Sequence, residues 1–225
     1  MQKKEVNHDI FASVYLTLLG VVQATVFTDL CFIALRRINT DGEIDTLDTL
    51  LNSLTFSGMM PIVFGFVVIL LVTYEYIYFV QTASRFVQLF DVFPLFLLGF
   101  SEVVIVRSLD SPLMTWVGMI CLSIAGTIAF ANSFFYDWNS IFNNRRISII
   151  YKAFLFFRMI VCIGSGYLSY LIIRRIDDGI IDESNHSYVL MVYALLFGLF
   201  FFLSWPPLQK LIFSSQSEPE NQNLE

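Results

Sequence analysis

Charged residues are scarce in this sequence, and the basic ones form no cluster. They make up 14% of the chain, with a net charge of −6. A nucleic-acid-binding surface usually shows a basic stripe interleaved with aromatic residues, which is absent here. The hydrophobic share of 56% is also too high for a soluble domain. The sequence therefore predicts no nucleic-acid partner and no separate soluble domain.

Residues that usually perform catalysis or bind metals are few as well. The only histidines, His8 and His186, lie far apart in polar segments. The three cysteines, Cys31, Cys121 and Cys162, lie in apolar segments without CxxC spacing, which is typical of small buried hydrophobic side chains. No HExxH, GxSxG, GxGxxG or Walker motif is present. The sequence predicts that the protein is not an enzyme and uses neither a metal nor a cofactor.

What the sequence has in abundance is long apolar runs. A bilayer-spanning helix needs ~20 mostly apolar residues. Backbone groups in lipid must be hydrogen-bonded within the segment, so uninterrupted runs of this length are helices. Six stretches qualify: Ile10–Leu35, Gly58–Val80, Phe86–Val106, Leu113–Phe135, Phe154–Ile173 and Tyr188–Trp205. The predicted fold is an all-α polytopic integral membrane bundle of about six transmembrane helices.

The third stretch is the unusual one. It contains Gln88, Asp91 and Glu102 at helical steps that place them on one face, together with Pro94. Ionisable side chains are costly in hydrocarbon and normally face a bundle interior, a partner or a water-filled cavity. If this stretch is re-entrant or interfacial, the bundle has four or five spanning helices.

The rest of the chain predicts a single transmembrane bundle domain at 1–213 and a disordered polar tail at 214–225. Pro206 and Pro207 are expected to end the last helix. Six spans put both termini on one side of the membrane. Placing them in the cytoplasm puts seven Lys and Arg residues inside and five outside, which favours that orientation in the cell (inner) membrane.

Six crossings also bring ionisable residues to common depths. The end of the second span and the starts of the third and fifth share one membrane face, so Glu75, Asp91 and Arg158 are predicted to form a layer ~8 Å below it. Asp29 and Glu102 form a second layer, ~16 Å farther along the third helix.

These two charged layers have two interpretations. They line an ion or proton pathway, or they hold the helices together. In the second case Arg158 pairs with Asp91 or Glu75, while Asp29 and Glu102 reach interfacial water or the arginines nearby. The second interpretation is favoured.

Pairs of small residues spaced four apart predict close helix contacts, either within one chain or between copies. One face of the first span has small and polar residues at Thr17, Gly20, Ala24, Thr28 and Cys31. The small-residue pairs are Gly20 and Ala24, Ala125 and Ala129, and Ala194 and Gly198.

Together these features predict a non-catalytic multi-pass membrane protein. Its expected role is that of an oligomeric or partner-docking subunit of a membrane complex, as a scaffold, sensor or pore component. The expected partners are the lipid bilayer and either further copies of the chain or another protein. The alternative is a small ion channel or a proton- or cation-coupled transporter that uses Asp29, Asp91 and Glu102.

Overall fold

The computed structural model describes residues 2–40, 56–83, 89–142 and 144–216, and all regular secondary structure in these ranges is helical. This confirms the all-α membrane bundle. The helices are α1 (Gln2–Thr40), α2 (Phe56–Ala83), α3 (Leu89–Arg107), α4 (Pro112–Phe134), α5 (Trp138–Phe142), α6 (Arg145–Asp177) and α7 (Glu183–Gln216).

Five of the described helices are long and apolar enough to cross a membrane. Their spanning segments are Leu16–Arg36, Met59–Ile77, Pro112–Phe134, Arg145–Asp177 and Asn185–Leu208. The third predicted stretch forms α3, a helix of 19 residues that continues through Pro94. A helix of this length extends ~28 Å, close to the ~30 Å thickness of the hydrocarbon core.

The expectation that Pro206 and Pro207 end the last helix is wrong, because α7 continues through both to Gln216. Proline lacks the N–H that would bond to the carbonyl four residues earlier, which for Pro206 belongs to Phe202. The Tyr74 hydroxyl of α2 donates to that carbonyl at 3.1 Å, and the Tyr74 and Phe202 ring centroids lie 4.7 Å apart. A neighbouring helix thus satisfies the freed carbonyl. Residues 217–225 of the predicted tail lie outside the described residues.

Two helix pairs form the body of the bundle. α2 packs against α7 and also against α1, while α4 packs against α6 and against α3. α3 and α4 form a hairpin in which the Thr115 hydroxyl donates to the Ser108 carbonyl at 2.7 Å. α1 lies at the periphery, since only 17% of its spanning segment is buried, against 44% for α2.

An aromatic cluster closes the bundle at the end where α2, α4 and α7 meet the start of α6. Trp138 of the short helix α5 is fully buried, with its ring centroid 4.3 Å from that of Tyr151. Its indole N–H donates to the Ser133 carbonyl at 2.8 Å. α6 begins beside this cluster at Asn144, whose side chain accepts hydrogen bonds from the Arg146 and Ile147 amides.

Candidate functional site

Arg158 and Glu75 form an ion pair inside the bundle. Arg158 of α6 is 0% exposed, and its Nη1 bonds to Oε2 of Glu75 on α2. Its Nη2 donates to the Ser204 hydroxyl and to the Phe201 carbonyl, the latter at 3.3 Å. The Trp205 indole N–H donates to the same Glu75 oxygen at 3.0 Å. The pair therefore joins α2, α6 and α7 through charge-assisted hydrogen bonds.

Four aromatic rings surround the guanidinium of Arg158. Their centroids lie 4.5–5.7 Å from its Cζ atom, within the range of cation–π attraction. Arginine suits this position because its planar group stacks on rings while its edge donates hydrogen bonds. The rings belong to Phe130 of α4, Phe154 of α6, and Phe201 and Trp205 of α7.

This arrangement favours helix packing over ion passage as the role of the first charged layer. The structure brings Glu75 and Arg158 into contact. Asp91 lies in α3, but its side chain is outside the described residues. The hydrogen bonds and rings enclose the guanidinium of Arg158 completely, so Arg158 does not exchange an ion with water. Breaking such a pair leaves an uncompensated buried charge, so separating α2 from α6 at this point is costly.

The two carboxylates of the second predicted layer have different partners. Asp29 of α1 accepts a hydrogen bond from Nε of Arg107 on α3 at 2.8 Å. The Arg107 side chain is 66% exposed, so this ion pair contributes little stability. Glu102 is instead 0% exposed and accepts a hydrogen bond from Nε2 of Gln23 at 2.9 Å. Among the described residues, Oε1 of Glu102 and Oε1 of Gln23 have no hydrogen-bond partner.

Gln23 is a site residue that the sequence reasoning missed. It is the only side-chain amide in the apolar run Ile10–Leu35. A carboxamide within a transmembrane helix tends to hydrogen-bond across to a neighbouring helix. That composition signal identifies Gln23 as a polar contact residue, although it does not identify Glu102 as its partner.

Hydroxyl groups of α4, α6 and α7 form a third polar cluster in the bundle interior. The Ser165 hydroxyl bonds to that of Tyr193 and lies 3.0 Å from that of Ser123, while Ser169 and Tyr193 are 3.4 Å apart. Ser165 lies in a Gly-Ser-Gly sequence that superficially resembles that of a serine nucleophile. Its side-chain partners are the hydroxyls of Ser123 and Tyr193, and no histidine, lysine or carboxylate bonds to it in the part of the bundle that the structure describes. The cluster therefore joins helices.

Two of the three small-residue pairs lie at contacts within the chain. Ala125 of α4 is buried, and a Cβ atom added at the adjacent Gly126 would lie 3.0 Å from Cys162 Sγ of α6. Gly198 of α7 is buried, and a Cβ added there would lie 3.7 Å from Val67 of α2. Their pair members Ala129 and Ala194 are partly buried and line an interior cavity.

The third pair, on α1, faces away from the other helices that the structure describes. Gly20 and Ala24 are both exposed, and a Cβ added at Gly20 would meet no described atom within 4 Å. The small face of α1 is therefore a helix-contact surface without a contact in the described part of this chain.

Comparison with known proteins gives no match to a protein-family model, a curated protein or a solved structure. The geometry of these contacts is thus the basis for assigning a function.

Proposed function

We propose that this protein is a non-catalytic multi-pass membrane subunit that assembles with a second copy of itself through α1. The observation that supports this most strongly is the open position of Gly20. Glycine inside a helix is less favourable than alanine by ~1 kcal/mol, so it needs a reason. Gly164 of α6 is as open as Gly20 but has large side chains one turn away, whereas Gly65 and Gly118 have a reason within the chain, since a Cβ there would lie 3.0 or 2.7 Å from a side chain. Gly20 has none within the described chain.

The chemistry of the α1 face suits close approach by another helix. Thr17, Ala24 and Thr28 are exposed on the same face as Gly20. The Thr17 and Thr28 hydroxyls donate to carbonyls of their own helix at 2.8 and 2.7 Å. The side chains on this face are therefore small, and its hydroxyl groups already donate hydrogen bonds within α1. Two helix backbones can thus approach closely here and pack through van der Waals contact.

A second copy fits this face better than a dissimilar helix does. Small-residue pairs spaced four apart form symmetric dimers in which the same patch packs on itself. The peripheral position of α1 leaves room for such a contact. The remaining helices then serve as a rigid support, held together by the Glu75–Arg158 pair. In this proposal the chain lies in the cell membrane with both termini in the cytoplasm, as the distribution of Lys and Arg favours.

Replacing Gly20 with leucine should weaken self-association at least about tenfold, equivalent to ~1.4 kcal/mol, because the larger side chain separates the two helices. The measurement is energy transfer between donor- and acceptor-labelled protein in lipid vesicles, as a function of protein density. Gly164→Leu is the matched control, since Gly164 is also exposed with open space around it but is flanked one turn away by Ile160 and Leu168.

The control variant is expected to associate like the wild type. Equal loss of energy transfer in both glycine variants would assign the effect to helix perturbation and remove Gly20 from the interface. A wild-type protein that shows no energy transfer above the random-mixing level would contradict the proposed self-assembly itself.

A second candidate function, proton-coupled transport, is favoured by Glu102. A fully buried carboxyl group whose hydrogen-bond donor is the neutral Gln23 amide resembles the carboxyl groups of intramembrane proton relays. In a transporter, Glu102→Gln should abolish proton flux while the variant still assembles, because glutamine keeps the shape but does not exchange a proton. The measurement is acidification of reconstituted vesicles that contain a pH-sensitive dye. Wild-type flux no higher than that of protein-free vesicles would exclude this function.

A further inference from the structure

A cavity of about 140 Å³ lies inside the bundle, between the α2–α7 pair and the α4–α6 pair. Pro94 and Leu98 of α3 border it on one side. Along α2 its lining runs from Phe64 to Tyr76, a distance of ~18 Å for twelve residues. That is a little over half of the ~30 Å hydrocarbon thickness of a bilayer.

The size of this cavity is that of a binding site. Native protein interiors leave few voids larger than a water molecule. An engineered apolar cavity of roughly 150 Å³ in another protein stays free of water and binds benzene or xenon. Because this cavity has a similar volume and an overwhelmingly apolar lining, a hydrophobic molecule fills it better than water does.

The helix pairs on either side hold the cavity open. α4 and α6 meet closely, since a Cβ at Gly126 would lie 3.0 Å from Cys162 Sγ and one at Gly166 would lie 3.1 Å from Ser123 Cβ. α2 and α7 are joined by the hydrogen bond from Tyr74 to the Phe202 carbonyl. With each pair fixed internally, the space between the pairs does not close by a small shift of one helix.

The few polar groups of the lining determine the charge of the ligand. The hydroxyls of Ser123, Ser165 and Tyr193 are hydrogen-bonded to one another. At the other end, Oε2 of Glu75 is bonded to Arg158 and Trp205, and its Oε1 has no partner among the described residues. Because the Glu75 charge is already paired with Arg158 and no other charged side chain lines the cavity among the described residues, a charged ligand would lose its hydration there without gaining a counterion.

We propose that this cavity binds an uncharged hydrophobic molecule or hydrocarbon segment, which enters from the surrounding bilayer. The shared chemistry is an apolar body without a charge. Two sources supply it, a free small hydrophobic molecule or the end of a lipid acyl chain, and the experiment distinguishes them.

The test uses the full chain in lipid nanodiscs and bromobenzene as the probe, because a heavy atom quenches a tryptophan at contact. Trp205 lines the cavity and is the reporter. The proposal predicts that part of the Trp205 quenching saturates as the bromobenzene concentration rises. This part adds to the linear quenching by bromobenzene that partitions into the lipid. 4-Bromobenzoate should show no saturable component. Quenching by bromobenzene that stays linear throughout would overturn the proposal.

A cavity-filling variant tests the location of binding. Ala194 lines the cavity, so Ala194→Phe should weaken the saturable component at least tenfold. Ala153→Phe is the matched control, since Ala153 is exposed on α6. This variant should leave the saturable component of the quenching unchanged. If Ala194→Phe lacks the wild-type circular dichroism spectrum, Val67→Phe, at another lining position, replaces it. Saturable quenching that survives cavity filling would contradict the proposal.

Nanodiscs made from lipids with brominated acyl chains, without bromobenzene, distinguish the two sources. Quenching that Ala194→Phe abolishes and Ala153→Phe preserves assigns the site to a lipid acyl chain. Quenching that is equal in the two variants, together with saturable bromobenzene binding in the wild type, assigns it to a free small hydrophobic molecule.

Discussion

Replacing Arg158 with leucine should lower the free energy of unfolding by about 3–5 kcal/mol, the usual cost of removing one partner of a buried ion pair. The variant leaves the Glu75 carboxylate inside the bundle with the Trp205 indole as its remaining donor from the site. It also removes the cation from among four aromatic rings. The measurement is equilibrium unfolding in mixed micelles with increasing denaturing detergent.

Arg145→Leu is the control for Arg158→Leu, because Arg145 is exposed at the start of the same helix. Its expected effect is within about 0.5 kcal/mol. The double variant Glu75→Leu/Arg158→Leu should recover much of the stability lost in the single variant, since no buried charge remains. Equal effects of Arg158→Leu and Arg145→Leu would show that the buried pair does not hold the helices together.

Replacing Gly118 with alanine should destabilise the bundle by about 1–3 kcal/mol, even though alanine is the better helix former. A Cβ at Gly118 would lie 2.7 Å from Ile105 Cγ1 and 3.1 Å from the Ile105 backbone nitrogen. A side chain can rotate away, but the backbone of α3 moves only if the α3–α4 hairpin separates. The measurement is again equilibrium unfolding in mixed micelles.

Gly164→Ala provides a control of opposite sign for Gly118→Ala. No described atom lies within 4 Å of a Cβ at Gly164, so the helix propensity of alanine should stabilise this variant by up to ~1 kcal/mol. Stabilisation by both substitutions would mean that the close contact between Gly118 and Ile105 does not exist in the membrane.

Features that depend on position along the chain were predictable from the sequence. The apolar runs predict the helices, because backbone N–H and C=O groups find no hydrogen-bond partner in lipid and must bond within their own segment. Alternating crossings also place Glu75 and Arg158 at one depth, and the structure shows them in contact. Depth alone, however, does not choose between Glu75 and Asp91 as the partner of Arg158.

Features that depend on lateral neighbours were not predictable from one sequence. The pairing of Gln23 with Glu102 requires knowing that α1 packs against α3. The passage of α7 through Pro206 depends on the Tyr74 hydroxyl of another helix. The sequence likewise identified three small-residue pairs, but only the packing shows that Gly20 and Ala24 are the ones left facing outward.

Disulfide cross-linking at position 24 in native membranes tests self-assembly through α1 most directly. A disulfide requires Cα atoms about 4.4–6.8 Å apart, a distance that helices reach only at a close small-residue contact. In a Cys31→Ser background, Ala24→Cys should give a covalent homodimer on mild oxidation, whereas Ala153→Cys on the exposed face of α6 should remain monomeric. Absence of the Ala24→Cys dimer, or equal dimer yields at both positions, would contradict assembly of two copies through this face.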